Sequence, residues 1–357
     1  MKRRSVLKIA LTTALVAALS VPAFAVETKP VASGDVLPMA AREVPVPVGV
    51  SPQLADLIGS RVVPDTLPEP ATLQEWLAAQ AQLDAVNAQS AEMMLAKTGA
   101  TYVVEDVAGV TTYRVTPAEI DARWADTVFL HVHGGAFVFN GGKAAITEAA
   151  WLAHGLGVEV ISVDYSRPPL HPFPAATDDV IAVWTEIIQD FDPAKIAMFG
   201  TSAGGNLTLS TALQLRDASM PMPGAIMAGT PATDLANVSD SWITLKGLDP
   251  LAGHDGAIAG TFALYAGETD LADPRLSPVN GDLEGMPPAI FLTGTRDLLL
   301  SDTVRMHRAM RDADVIADLH VYDGQSHGDY IAGYMVDAPE TQDALRELNT
   351  FFDLHLK

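Results

Sequence analysis

The chain has no cysteine. That excludes disulfides, thiolate metal centres and a cysteine nucleophile, and it is compatible with an oxidising compartment. Basic residues are scarce, with 22 Lys and Arg against 44 Asp and Glu, for a formal charge of −22. Such a surface repels nucleic acid and anionic lipid and disfavours polyanionic substrates; at its simplest it keeps the protein in solution. Beyond residue 25 no apolar run approaches the ~20 residues that a membrane-spanning helix needs, so no stable membrane insertion is expected. Internal repeats and low-complexity tracts are also lacking. What is present is 357 residues that are 48% hydrophobic, enough for one large core with or without a small accessory domain.

The first 25 residues read as an export signal: Lys2-Arg3-Arg4 is a positive start, Ile9 to Leu19 an apolar stretch, and Ala23-Phe24-Ala25 a cleavage site. The expected destination is the periplasm or the medium. Arg3-Arg4 also suits a twin-arginine signal, and the choice between that route and the general secretory one is open. Cleavage would remove Lys2, Arg3, Arg4 and Lys8 and no acid, taking the formal charge from −22 to −26. Residues 26–70 are rich in proline and read as an extended arm, with one helical turn near Gln53 to Ile58. Leu73 to Lys97 reads as a helix, capped by Thr72 and stopped by Gly99. From Tyr102 onward short apolar strands alternate with amphipathic helices, which predicts a mostly parallel sheet covered on both faces. Asp234 to Pro274 is a long insertion between two strands.

The sharpest motif is Gly200-Thr201-Ser202-Ala203-Gly204-Gly205, behind the apolar run Ile196 to Phe199. A serine on a tight strand-to-helix turn projects its hydroxyl into open space, and flanking glycines let strand and helix approach closely. The N–H of Ala203, opening the helix, would face a developing oxyanion. A serine hydroxyl needs a base. His327 lies in a loop of small residues after the last strand, and Asp297 follows the strand before it, giving the order serine, acid, histidine. Asp302 is the rival acid, better suited to the first turn of a helix, and Asp329 is too close in sequence to orient the ring well. His131-Val132-His133-Gly134-Gly135-Ala136 follows another strand, where glycines would bring N–H groups to the substrate carbonyl. His131 is expected in the packing of the sheet, and His133 as a fixed point of the loop.

Three segments resemble the bacterial hormone-sensitive-lipase family of esterases within the α/β-hydrolases: His133 to Phe137, Asp164-Tyr165 through His171 to Asp179, and the elbow, which carries the threonine rather than the aspartate of the two subgroups. The resemblance implies an α/β-hydrolase fold with Ser202 as nucleophile, Asp297 as acid and His327 as base. It implies an oxyanion hole lined by Gly134, Gly135, Ala136 and Ala203, the last three as donors. Two departures stand out. Ala136 occupies the place of a third loop glycine, and Ser166-Arg167-Pro168-Pro169-Leu170 lacks the acidic residue usual there. The expected organisation is a signal at 1–25, an arm and cap helix at 26–100, and a catalytic domain at 101–357 with a second cap segment at 236–274. The cap would roof the acyl pocket, with Trp76, Met93, Met94, Trp242, Leu248, Phe262 and Tyr265 as candidate lining, and would bear on selectivity more than on chemistry. The expected activity is hydrolysis of short- to medium-chain carboxylic esters through an acyl-enzyme, with a lactone or other specialised ester as the alternative. A dead receptor on this fold would lack the base, and His327 is there; a peptidase has little support. Neither cofactor nor metal is expected, the partner is a small ester, and homo-oligomerisation is open.

Overall fold

A computed structural model describes residues 41–356. The chain divides into two units, 1–44 and 45–357. Residues 41–44 of the first are described and carry no helix or strand, and every element below belongs to the second. The expected export signal lies outside the described residues.

Two helices come first, α1 (Pro52–Gly59) and α2 (Leu73–Thr98). The α2 boundaries follow from local chemistry. Thr72 and Glu75 form a reciprocal capping box, and Gly99 closes the helix in the left-handed conformation. An antiparallel pair, β1 (Thr101–Val107) and β2 (Val110–Thr116), turns at Ala108-Gly109 as expected. Then follow β3 (Phe129–Val132), α3 (Ile146–Leu156), β4 (Val160–Val163), α4 (Ala175–Ile187), β5 (Ala197–Thr201) and α5 (Ala203–Asp217). Next come β6 (Ala225–Gly229), the short α6 (Asp240–Thr244), α7 (Ala257–Ala266), β7 (Ala289–Gly294) and α8 (Leu300–Asp312). The chain ends with β8 (Ala317–Tyr322), the single turn α9 (Asp329–Ala332) and α10 (Glu340–His355).

The strands form one eight-stranded sheet in the order β1-β2-β4-β3-β5-β6-β7-β8, parallel from β4 onward. Strand side chains alternate between two apolar clusters. Leu130, Val132 and Met198 face α4, α5 and α8, whereas Phe129, Ala197 and Phe199 face α3 and α10. Both faces are thereby covered, which is why the central strands read as unbroken apolar runs. The loops at the carboxyl ends of β3, β5, β7 and β8 carry the site candidates.

Helix α2 meets two parts of the molecule: Trp76 lies against Gly260 of the insertion, and the C-terminal half packs on α3. Ala91, Met94 and Leu95 of α2 join the core cluster of α3, while Leu73, Leu83, Val86 and Met93 are exposed. Small side chains in its C-terminal half let it settle on α3, so α2 is part of the body of the domain. The insertion also meets the arm directly, through a bridge between Leu67 and Gly256.

Candidate active site

Ser202 sits between the last residue of β5 and the first of α5, with φ 64° and ψ −123°. That backbone is costly for a residue with a side chain and persists only where its surroundings hold it. Its N–H donates to the Gly229 carbonyl at 2.8 Å, and its own carbonyl accepts from Asn206 N–H at 3.0 Å. A Cβ at Gly200 or Gly204 would stand 2.2 or 2.0 Å from the Val132 carbonyl oxygen, so both glycines are required by the approach of β3. Thr201 is anchored from behind. It donates to Glu148 Oε1 at 2.5 Å and accepts from the Tyr330 hydroxyl at 2.6 Å. Glu148 also meets His131 Nε2 at 3.1 Å, and His131 Nδ1 lies 2.8 Å from Ser162 Oγ. His131 therefore packs inside the sheet, as expected.

The loop after β3 folds back on itself. Val138 and Phe139 both donate to the Gly135 carbonyl, at 3.1 and 2.8 Å. Gly135 has φ 118°, and a Cβ there would meet the Phe139 carbonyl oxygen at 2.4 Å. Ala136 and Phe137 follow at φ 50° and 66°, and the Phe137 ring stacks on Tyr265 at 4.1 Å. Gly134 lies against the elbow, its missing Cβ 2.7 Å from the Thr201 carbonyl oxygen. His133 is a fixed point of this loop. Its Nδ1–H donates to the Gly134 carbonyl at 2.7 Å, its ring stacks on Tyr165 at 4.1 Å, and burial keeps the imidazole neutral by lowering its pKa to about 3.

Helix α2 also reaches this loop, which the sequence did not signal. Asp84 accepts from Asn140 N–H at 2.6 Å and Gly141 N–H at 3.2 Å, and pairs with Arg167 at 3.1 Å. Arg167 in turn donates to the Val138 carbonyl at 2.8 Å. Arg167, in the segment that lacks the usual acid, thus takes its acidic partner from α2.

Asp297, fully buried, accepts from Thr293 Oγ1 at 2.6 Å, from Leu299 N–H at 2.9 Å and from His327 Nδ1 at 3.2 Å. A carboxylate at Nδ1 fixes the tautomer and leaves Nε2 free to take a proton. His327 is 12% exposed. Burial alone would lower its pKa, but the hydrogen bond and charge of Asp297, with Asp249 and Asp329 behind, hold it above the ordinary histidine value. Neither rival carboxylate competes. Asp302, in the first turn of α8, accepts from the N–H groups of Thr233 at 3.1 Å and Asp234 at 3.4 Å. Burial raises its pKa to about 7. Asp329 pairs with Arg61 of the arm through both carboxylate oxygens and accepts from Ser326 N–H at 2.6 Å. Arg61 also donates to Ser326 Oγ at 2.5 Å. The arm therefore grips the loop that carries His327.

A cavity of about 40 Å³ lies against Ser202, and neither Asp297 nor His327 lines it. Its walls include Ser202, Ala203, Ala136 and Phe137 from the sheet loops, Leu299 beyond Asp297, and Trp242, Leu251, Ile258 and Phe262 from the insertion. Of the candidate lining residues, Trp242 and Phe262 are there. Tyr265 lies behind Phe137, Trp76 stacks on Phe139 at 6.5 Å, Met93 is exposed and Met94 is in the core. Leu248, the last of them, does not line the cavity. Asp249, Asp297 and His327 offer ligand atoms within 4.8 Å of one another, the one such cluster among the described residues. Their oxygens already accept N–H and O–H hydrogen bonds, so the cluster is a hydrogen-bonded one.

Residues 129–331 match the family model for the α/β-hydrolase fold. An esterase of Acinetobacter venetianus is 31% identical over 238 residues, which is 65% of this chain and 77% of the relative. The crystal structure of an esterase superposes with a TM-score of 0.86 at 41% identity, covering 90% of this chain and 99% of the other. An esterase of the bacterial hormone-sensitive-lipase family shares the fold, with a TM-score of 0.72 at 24% identity over 86% of this chain and 99% of that one. These neighbours support the resemblance read from the sequence. The chain belongs to the α/β-hydrolase fold family, as a carboxylesterase-type hydrolase.

Proposed function

We propose that this hydrolase cleaves carboxylic esters with short acyl chains through an acyl-enzyme on Ser202. Its hydroxyl oxygen attacks the ester carbonyl while His327 Nε2 takes the proton, and Asp297 keeps the imidazolium in place. The N–H groups of Gly135, Ala136 and Ala203 receive the oxyanion. The alcohol leaves with the proton from Nε2. Water then gives a proton to the same nitrogen as it attacks the acyl-enzyme, and the acid leaves as the Ser202 oxygen takes that proton back from Nε2. This chemistry asks for no cofactor.

One observation carries the reading: the strained serine, the loop of the acid hydrogen-bonded to the histidine, and Ala136 and Ala203 all abut one apolar cavity. Its size favours the short end of the acyl range. A cavity of about 40 Å³ walled by Trp242, Leu251, Ile258 and Phe262 suits a small acyl group better than a long one. A panel of p-nitrophenyl esters from acetate to palmitate, run beside lactones, tests this. The highest kcat/KM is expected at acetate to butyrate, with a steep fall beyond. Efficient cleavage of palmitate esters or of lactones alone would overturn the assignment. We also propose export of the chain, on the charged start, apolar stretch and Ala23-Phe24-Ala25 of the sequence. N-terminal sequencing of the native protein should begin near Val26, and a retained Met1 would refute it.

A further inference from the structure

The insertion that holds α6 and α7 contributes more than cavity wall. Asp249, between Leu248 and Pro250, is fully buried with both carboxylate oxygens in use. Its Oδ1 accepts from Leu251 N–H at 2.8 Å. Its Oδ2 accepts from two N–H groups that belong to the acid and base loops: Leu298 at 3.1 Å and His327 itself at 3.0 Å. One oxygen thus joins the backbone of the histidine to the residue after Asp297. The same insertion holds Leu298 from its other side, where Ser241 Oγ donates to the Leu298 carbonyl at 2.6 Å.

We propose that Asp249 is a positioning residue, which fixes the backbone of His327 and Leu298 from the cap and sets a second negative charge beside the imidazole. It touches neither the substrate nor the reacting atoms. The Asp249 carboxyl and the imidazole stand in the same 4.8 Å cluster as Asp297. The charged groups facing His327 are Asp297, Asp249 and Asp329, and Arg61 neutralises the last. Asp249 is therefore the unpaired second charge. Burial raises its carboxyl above the ordinary range, the imidazole opposes that, and Asp297 adds to it. Such a carboxylate ties movement of the cap to the state of the base.

The proposal rests on His327 as base, so the test includes His327→Ala. The assay is the pH dependence of kcat and kcat/KM for p-nitrophenyl acetate, with the melting temperature of each variant. Asp249→Asn removes the charge and, with one oxygen in place of two, sets an NH2 against either the Leu251 N–H or the pair from Leu298 and His327, which displaces that backbone. It is expected to lower kcat by about 10- to 100-fold with little change in KM, because small displacements of a catalytic group cost about that much. It should also move the acid limb of kcat/KM to lower pH, since loss of a negative charge destabilises the imidazolium. Asp249→Glu keeps the charge but displaces the oxygen, so kcat should fall while the limb stays near its wild-type position. It serves alone if the asparagine variant does not fold. Wild-type kcat in either variant, or a fall in kcat that follows melting temperature without movement of the limb in Asp249→Asn, would overturn the proposal. An inactive His327→Ala beside such a result leaves the triad standing. An active His327→Ala overturns both.

Discussion

The elbow that carries Ser202 and the loops that carry Asp297 and His327 hold the proposed catalytic side chains by different means. The elbow's motif residues lie together in sequence: Gly200 and Gly204 clear the Val132 carbonyl and α5 begins one residue beyond the serine, with Gly229, Glu148 and Tyr330 bracing the turn. The imidazole loop is held from a distance. Arg61 reaches it from the arm, and Asp249 from the insertion between β6 and β7. The loop after β3 is intermediate, with its own glycine turn and an external hold from Asp84 on α2. Where local sterics dictate the backbone, motif and geometry coincide. Where tertiary carboxylates dictate it, the chemistry depends on segments with no motif of their own.

The largest effect should come from the local half. Ser202→Ala is expected to lower kcat by roughly 10⁶-fold, as in other serine hydrolases of triad type. Purified variant retaining more than a few per cent of wild-type turnover would remove the elbow from the account. On the distant half, Asp297→Asn should cost ~10⁴-fold in kcat, the magnitude seen when a serine-protease triad loses its acid, with the melting temperature little changed. Asp302→Asn costing more than Asp297→Asn would mean that the wrong carboxylate faces the imidazole.

Arg61→Met sharpens the comparison, because it alters the arm and no residue of the triad. It leaves Asp329 buried and unpaired, and breaking a buried pair in this way costs about 3–5 kcal/mol. Displacement of the imidazole loop should lower kcat by about 10- to 100-fold. Kinetics and calorimetry of the variant would show both effects. A change in acyl-chain preference with kcat intact would return the arm to the selectivity role expected from the sequence. The smallest effect belongs to Asp302→Asn, which should leave kcat essentially unchanged. Asp302 has a folded pKa near 7, above the ~3.9 of an unfolded aspartate. The folded state thus binds the proton more tightly, and wild-type stability falls as pH rises between those values. The asparagine variant lacks that slope, so melting curves should show it gaining on wild type from pH 4 to pH 7.

The fold was legible from periodicity and punctuation. Thr72 and Gly99 bound α2, the Ala108-Gly109 turn pairs β1 with β2, and apolar runs between amphipathic helices marked the buried parallel strands. Ser202, Asp297 and His327 stood out as candidates because each follows a strand that the pattern reveals. Asp249, Arg61 and Asp84 were not. Each is a single charged residue with no motif around it, and its partner lies far away in sequence. A carboxylate between Leu248 and Pro250 in an apolar stretch was the one signal for Asp249, and it reads equally as a turn. Where α2 packs was equally hard to read: Ala91, Met94 and Leu95 join the cluster of α3, while Asp84 holds the loop after β3.

Both halves of the comparison meet in the pH dependence of inactivation by a serine-directed phosphonate, followed by peptide mass mapping. The account predicts a single label, on Ser202. It also predicts a rate that rises with pH through a pKa above the ~6.5 of an ordinary histidine, because Asp297 and the carboxylates behind it favour the charged imidazole, which must lose its proton before it can act as base. A label on another residue, or a limb at or below that value, would contradict it.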